Sequence, residues 1–378
     1  MKNILFGLGA VVAMAMISCG GEAPQHSWQF STDRASGKAE KTSGSYTILS
    51  YNAGLAHGAV ALAEQRLPKI VTALKKEPAD VVCLQEVWTD DDAKAVRSGL
   101  SAIYPYSFRQ RTEDDSKKSV ECGLWGTFML DRCVKSNCTK KGISAEECVL
   151  TACKERYDAL DDKCKLCLAA NTAGAWRCAF LGAKKFTSEG RNGLLLLSRR
   201  PIKNARYTAF DTALVKRGVI SAEVDGNTIQ CTHLSSDLDT VPYPKGRTFK
   251  SWTEEQAAQI EVIDALSEPG KCTVLLGDLN AGASGSGLDA ELPTNFDGIA
   301  QLGFVEPWGS PRCTWCDDNP LAGSQKNKQL DHILMRDCAA AKFTYRRALD
   351  APITLEADGN ATQTRLSDHY GLSLTISE

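Results

Sequence analysis

From residue 46 onward, short apolar runs alternate with polar, Gly- and Pro-bearing stretches. Tyr46-Thr47-Ile48-Leu49-Ser50-Tyr51 reads as a strand, and Asp80-Val81-Val82-Cys83-Leu84-Gln85 as a buried one. The same pattern predicts strands over 194–198, 219–224, 228–234, 273–276, 330–335 and 372–376. Helical spacing runs over 61–76, where Leu62, Leu67, Ile70, Val71 and Leu74 share one side. A second helix is predicted over 253–267, with Thr253 as N-cap and Glu254 and Glu255 near its positive end. Many strands with few helices between them predict mixed sheets with helices packed outside.

Three stretches depart from this texture. Lys2 is followed by an apolar run, Ile4 to Ile17, about the length of a signal-peptide core and short for a membrane span. Residues 20–45 are rich in Gly, Ser, Lys and Glu and read as a flexible tether. Between Cys122 and Cys178 the spacing turns helical, in Lys-, Asp- and Ala-rich sequence. This predicts an insertion over about 113–185, built of short helices.

The composition is that of a globular chain: 378 residues, 43% hydrophobic and 24% charged, enough for one large α/β domain with an insertion. A net charge of −2 gives no overall basic pull toward nucleic acid or anionic lipid, although a local patch would suffice. Fifteen cysteines do change the picture, because they are too many for an ordinary cytosolic enzyme. Eight of them fall in the insertion and predict four disulfides, whose pairing has 105 solutions. Zinc is the competing reading there, from the spacing of Cys164 and Cys167. Cys313 and Cys316 suit a tight local bridge, and Cys272 and Cys338 flank strands and can pair. Cys83 and Cys231 lie inside apolar strands and read as buried thiols.

Polar residues recur at the strand ends. They are Asn52, Glu86, His233, Asp278 with Asn280, Asp331, and Asp368 with His369. Each alone is ordinary: a Glu caps a strand, a His is structural, a Gly-Asp-x-Asn stretch is an Asx turn. As a set they are oxygen ligands suited to Mg²⁺ together with two histidines able to accept a proton or bond a phosphate. These are the parts that attack of water on phosphorus needs.

The ordered series Asn52, Gln85-Glu86, His233, Gly277-Asp278-x-Asn280, Leu330-Asp331-His332 and Ser367-Asp368-His369 resembles the endonuclease/exonuclease/phosphatase superfamily over residues 46–378, the insertion excepted. The resemblance implies a four-layered α/β sandwich of two packed mixed sheets with outer helices. It implies that Glu86, helped by Asn52 and Asp368, holds Mg²⁺, with Mn²⁺ or another divalent cation as the alternative. It gives His369, oriented by Asp331, the role of general base or phosphate-charge stabiliser. Asp278 would position the water, and Asn280 and His233 would bind the scissile phosphate. Within the superfamily, Leu49-Ser50-Tyr51-Asn52, Gln85-Glu86-Val87-Trp88, Asn192-Gly193-Leu194, Lys216-Arg217-Gly218 and Thr232-His233-Leu234 are most similar to neutral sphingomyelinases and related phospholipases C. The long aromatic hairpin with which bacterial sphingomyelinases enter membranes is missing, and Trp315 is the one substitute in view.

The apolar N-terminal run ends in Met16-Ile17-Ser18-Cys19-Gly20, which resembles the lipobox of bacterial lipoproteins, with Met16 where Leu is usual. That resemblance implies removal of residues 1–18 and a lipid anchor on Cys19, facing the periplasm or the cell exterior. A plain secretory signal is the alternative. Three functions follow: an exported Mg²⁺-dependent phosphodiesterase acting on a phospholipid or sphingomyelin headgroup, an exported deoxyribonuclease I-like nuclease, or a non-catalytic surface-binding lipoprotein. A nuclease would need a basic track, for which Arg191, Arg199, Arg200, Lys216, Arg217 and Lys245 to Arg247 are candidates. Nothing in the sequence points to a protein partner.

Overall fold

The computed structural model describes residues 45–57, 59–110, 122–138, 149, 152–160, 164, 168, 192–213, 215–238, 243, 247–285, 287–307, 312–323, 326–338, 342–357 and 359–377. The predicted signal segment, Cys19 and the tether to residue 44 lie outside them, as does much of the insertion.

In chain order the elements are β1 (Ser45–Asn52), α1 (Ala63–Lys76), β2 (Val81–Gln85), α2 (Asp90–Leu100), β3 (Tyr106–Phe108), α3 (Leu124–Asn137), α4 (Lys154–Asp158), β4 (Leu195–Ser198), β5 (Lys203–Ala209), β6 (Gly218–Val224), β7 (Asn227–His233), α5 (Trp252–Ala265), β8 (Thr273–Asp278), α6 (Pro293–Gln301), β9 (Asp331–Arg336), β10 (Lys342–Ala348), β11 (Ile353–Ala357), β12 (Asn360–Thr364) and β13 (Gly371–Ser377). One sheet has the order β10-β13-β1-β2-β4-β3, the other β5-β6-β7-β8-β9, and β11-β12 form a hairpin.

Three apolar clusters define the layers. Ile48, Val81, Cys83, Leu194 and Leu196 of the first sheet meet Ile220, Ile229, Cys231, Val274, Leu276 and Ile333 of the second. Alternate residues of the same strands point the other way. Leu49, Tyr51, Val82 and Leu84 bury against Ile70 and Leu74 of α1 and Val96 and Leu100 of α2. Val219, Leu275 and Leu334 bury against Ile260 and Ile263 of α5 and Ile299 of α6. Because successive side chains leave opposite faces of a strand, an apolar run such as Val274-Leu275-Leu276 feeds both the inter-sheet core and the helix layer. Helix, sheet, sheet, helix is the expected four-layered sandwich. Mixed pairing is also present: β1–β2 and β7–β8 are parallel, and the other ladders of the two sheets antiparallel.

The predicted strands all appear, within a few residues of their expected ends. The strands that apolar patterning did not predict are β3, β5 and β10, which lie at sheet edges, and β11 and β12, which make the hairpin. Edge strands bury little and carry charge, as in Lys342-Phe343-Thr344-Tyr345-Arg346-Arg347-Ala348, so their apolar signal is weak. The N-cap of α5 is Ser251 and not Thr253: the Ser251 side chain accepts from the Glu254 backbone N–H, leaving Thr253 inside the first turn.

The cysteines bring one correction. Cys83 and Cys231 are not thiols but a disulfide, with Cα atoms 5.5 Å apart. They sit on facing strands of different sheets, a proximity set by sheet packing across 148 residues of sequence. Cys272–Cys338 and Cys313–Cys316 pair as expected. In the insertion, Cys122–Cys164 and Cys133–Cys153 are bonded and Cys138 is disulfide-bonded as well. The bond at Cys164 removes it as a zinc ligand. Around these bridges Leu130, Tyr157 and Leu160 make a small separate core. Leu124, Trp125 and Phe128 of α3 stay exposed, with the two aromatic rings stacked 5.9 Å apart. Trp315, by contrast, is partly buried beneath the Lys328 ammonium, 5.9 Å from its ring centre. Among the described residues no helix is long and apolar enough to cross a membrane.

Candidate active site

Register places the site. Parallel β7 and β8 set His233 opposite Asp278, and antiparallel β8 and β9 set Asp278 opposite Asp331, so three strand ends carry three functional side chains in one row. In the other sheet Asn52 is level with Gln85, at the ends of β1 and β2. Packing the sheets brings the two ends together: Asn52 Nδ2 donates to Asp278 Oδ2 at 2.9 Å. The backbone is shaped for this. A Cβ on Gly277 would lie 1.9 Å from the Thr232 carbonyl oxygen, so only glycine lets β7 and β8 approach there. Glu86 and Asn280 adopt the left-handed region (φ 56° and 46°), which turns both out of their strands.

Asp278 is the hub. Its Oδ1 accepts from the Asn280 backbone N–H at 3.0 Å. Its Oδ2 lies 3.3 Å from His233 Nε2 and 3.9 Å from His369 Nε2. Burial, and then the Asp331 charge, push its carboxyl up to about 7. His369 donates through Nδ1 to Asp331 Oδ2 at 2.8 Å, which turns its Nε2 toward Asp278. Burial by itself would lower the His369 pKa, but the charges of Asp331 and Asp278 outweigh it and hold the ring well above the usual histidine range. His233 shifts the other way, well down, through burial and then the Arg217 charge. The Arg217 Nη1 lies 2.7 Å from His233 Nδ1. A guanidinium can only donate, so this ring nitrogen accepts and the proton of the neutral ring sits on Nε2, facing Asp278.

Asn280 donates its side-chain amide to the Leu234 carbonyl, tying it to the end of β7. Asp368 lies against Gly54 so closely that a Cβ there would be 2.3 Å from its Oδ1, and Ser367 Oγ donates to that oxygen at 3.0 Å. All eight residues predicted for the site therefore converge on one end of the sandwich. Two more belong with them. Arg217 contacts His233 and lies over the Trp88 ring, whose centre is 5.6 Å from the guanidinium carbon. Both stood in recognised motifs, but the short Lys216-Arg217-Gly218 run does not say which cation turns inward. Of the basic-track candidates among the described residues, Arg217 is buried here and Arg200 faces Asp80 and Asp225.

The donor set fits a divalent cation. Burial, then the Asp368 charge, push the Glu86 carboxyl up, and its Asn52 contact is long at 3.3 Å. Asp331 Oδ1 is buried without a hydrogen-bond partner. Crowded hard oxygens short of donors are what a dication neutralises. Glu86, Asn52 and Asp368 would form one such side of the site. Asp278, Asp331 and His369, each with a ligand atom within 4.8 Å of the others, form a second place able to take a metal.

Clustered oxygens, a buried carboxylate and two imidazoles aimed at one point suit a metal-dependent phosphoester hydrolase. The chain belongs to the Endonuclease/Exonuclease/phosphatase family, whose sequence pattern matches residues 49–369. Among curated proteins none matches it in sequence. Similar solved structures include SmcL (13% identity, 89% of this chain and 99% of that one, TM-score 0.54). They also include sphingomyelinase C from Streptomyces griseocarneus (17%, 88% and 99%, 0.53). A third is a beta toxin variant from Staphylococcus aureus with bound magnesium ions (15%, 88% and 99%, 0.53). At these identities they establish a shared fold.

Proposed function

We propose that this protein hydrolyses the headgroup phosphodiester of a phospholipid or sphingomyelin with the help of Mg²⁺, on the outer side of a membrane to which Cys19 anchors it. The observation that carries the chemistry is Asp278, whose Oδ2 faces Asn52, His233 and His369 together. Glu86, Asn52 and Asp368 would hold Mg²⁺, which supplies positive charge against the phosphate oxygens when bound. Asp278 orients the attacking water and takes its proton. His369, kept protonated by Asp331, and His233, with its proton on Nε2, donate to the phosphoryl oxygens as charge gathers there. Asn280 fixes the turn that carries Asp278.

A lipid substrate is supported by the fold shared with sphingomyelinase C and by the exposed Leu124-Trp125-Phe128 face of α3, since aromatic side chains favour the bilayer interface. Several disulfides are typical of exported proteins and agree with that location. Residues 20–378 assayed with Mg²⁺ on sphingomyelin and phosphatidylcholine vesicles and on plasmid DNA should release phosphocholine, stop with chelator, and leave the DNA intact. DNA nicking without headgroup release would reject the lipid reading. Glu86→Gln should raise the half-saturating Mg²⁺ concentration by about 10-fold or more, read by titrating activity. Trp125→Ser with Phe128→Ser should raise KM on vesicles several-fold and leave turnover of a water-soluble phosphodiester unchanged. Equal effects on both substrates would remove α3 from membrane contact.

A further inference from the structure

Arg66 stands on the inward stripe of α1, at the four-residue spacing of Leu62, Ile70 and Leu74, where an apolar residue is expected. It is fully buried. Among the described residues no carboxylate forms an ion pair with it; its guanidinium donates instead to four backbone carbonyls. Nε reaches Ala61 at 2.8 Å, Nη1 reaches Ala53 at 3.1 Å and Leu366 at 2.8 Å, and Nη2 reaches Gly54 at 2.5 Å. Ala53 and Gly54 follow Asn52, and Leu366 precedes Asp368 by two residues. These segments come from opposite ends of the chain, and the Arg66 fork spans both.

Their side chains answer to that spacing. The Gly54 backbone N–H donates to Asn52 Oδ1 at 3.0 Å, which fixes the Asn52 amide. Gly54 is also the wall against which the Asp368 carboxylate rests. A buried unpaired cation is costly, and it persists where fixed dipoles and nearby opposite charge compensate it. Carbonyl dipoles do the first here. Asp368 does the second, followed by Tyr51 and Glu86. A planar five-donor fork is the group able to hold several carbonyls in a set geometry; an ammonium is not.

We infer that Arg66 is a positioning residue: by clamping the loops after Asn52 and before Asp368, it sets the distance between these two ligands and so the affinity for Mg²⁺. The inference rests on the proposal that Asn52, Glu86 and Asp368 hold that ion. It also makes α1, away from the chemistry, part of the metal site's scaffold.

Arg66→Lys keeps the charge and most of the stem but cannot span four carbonyls. It should raise half-saturating Mg²⁺ by about 10-fold or more, as loss of a group that orients metal ligands does. The change should appear both in activity and in the thermal shift that Mg²⁺ produces, with kcat at saturating Mg²⁺ within a few-fold. In chelator, hydrogen exchange should quicken at 53–57 and 366–369 and stay unchanged in the β-strands. A folded Arg66→Lys with parental Mg²⁺ half-saturation, or with parental exchange in both segments, overturns the inference. So does loss of the folded state, which would make Arg66 a determinant of the whole core. If the parent itself shows no Mg²⁺ response, the metal proposal fails, and the exchange measurement still decides whether Arg66 clamps the loops.

Discussion

Asp278→Asn should lower kcat by about 10³-fold while the protein stays folded, because it removes the one oxygen that Asn52, His233 and His369 all face. The amide cannot take the proton of water, and its NH₂ would meet the Asn52 amide donor at the same 2.9 Å position. The pH dependence of stability checks the same residue by a route independent of turnover. The Asp278 carboxyl is pushed from an ordinary 3.8 up to about 7 in the folded protein, so folding binds a proton. Its contribution is fully present below about pH 4 and is lost as pH rises through about 7. In chelator at pH 8 the parent therefore carries a buried charge that the neutral Asn lacks. Thermal unfolding there should show Asp278→Asn melting at or above the parent, with a flatter dependence between pH 5 and 8. A variant that kept parental turnover would end the assignment of Asp278 as proton acceptor. One that lost activity by unfolding would make it a structural residue.

The second large effect is on stability. Removing the inter-sheet disulfide with Cys83→Ala and Cys231→Ala should cost about 4–5 kcal/mol, the chain-entropy value for a bridge closing 148 residues. For a domain of this size that is a fall in Tm of about 10 °C. The bridge lies inside the core shared by the two sheets, three residues before Glu86 and two before His233. Its loss should therefore loosen the fit between the sheet that carries Asn52 and Glu86 and the sheet that carries His233, Asp278 and Asp331. The expected sign is a higher half-saturating Mg²⁺ concentration in the double variant, measured below its own melting range. A cost under about 1 kcal/mol would show that apolar packing alone fixes the sheets and that the unfolded chain gains little freedom from losing the bond.

The sequence by itself determined the strands of both sheet interiors, the helices over 63–76 and 252–265, and the ordered strand-end residues from Asn52 to His369. It could do so because a strand buried on both faces is apolar at most positions, and because polar residues just beyond such runs stand out. Edge strands β3, β5 and β10 and the β11-β12 hairpin gave no such signal, since β3 is only three residues long and β5, β10 and β12 turn polar residues to solvent. Arg66 did leave a trace, a cation on an apolar helical stripe, but its meaning lies in four carbonyls from three stretches of chain. The pairing of Cys83 with Cys231, the burial of Arg217 against His233, and the convergence of both sheet ends on Asp278 were decided only by the tertiary structure. Each depends on how two twisted sheets align face to face, and that alignment follows from the summed packing of the Ile48, Val81, Ile229 and Leu276 layer, not from any local run of residues.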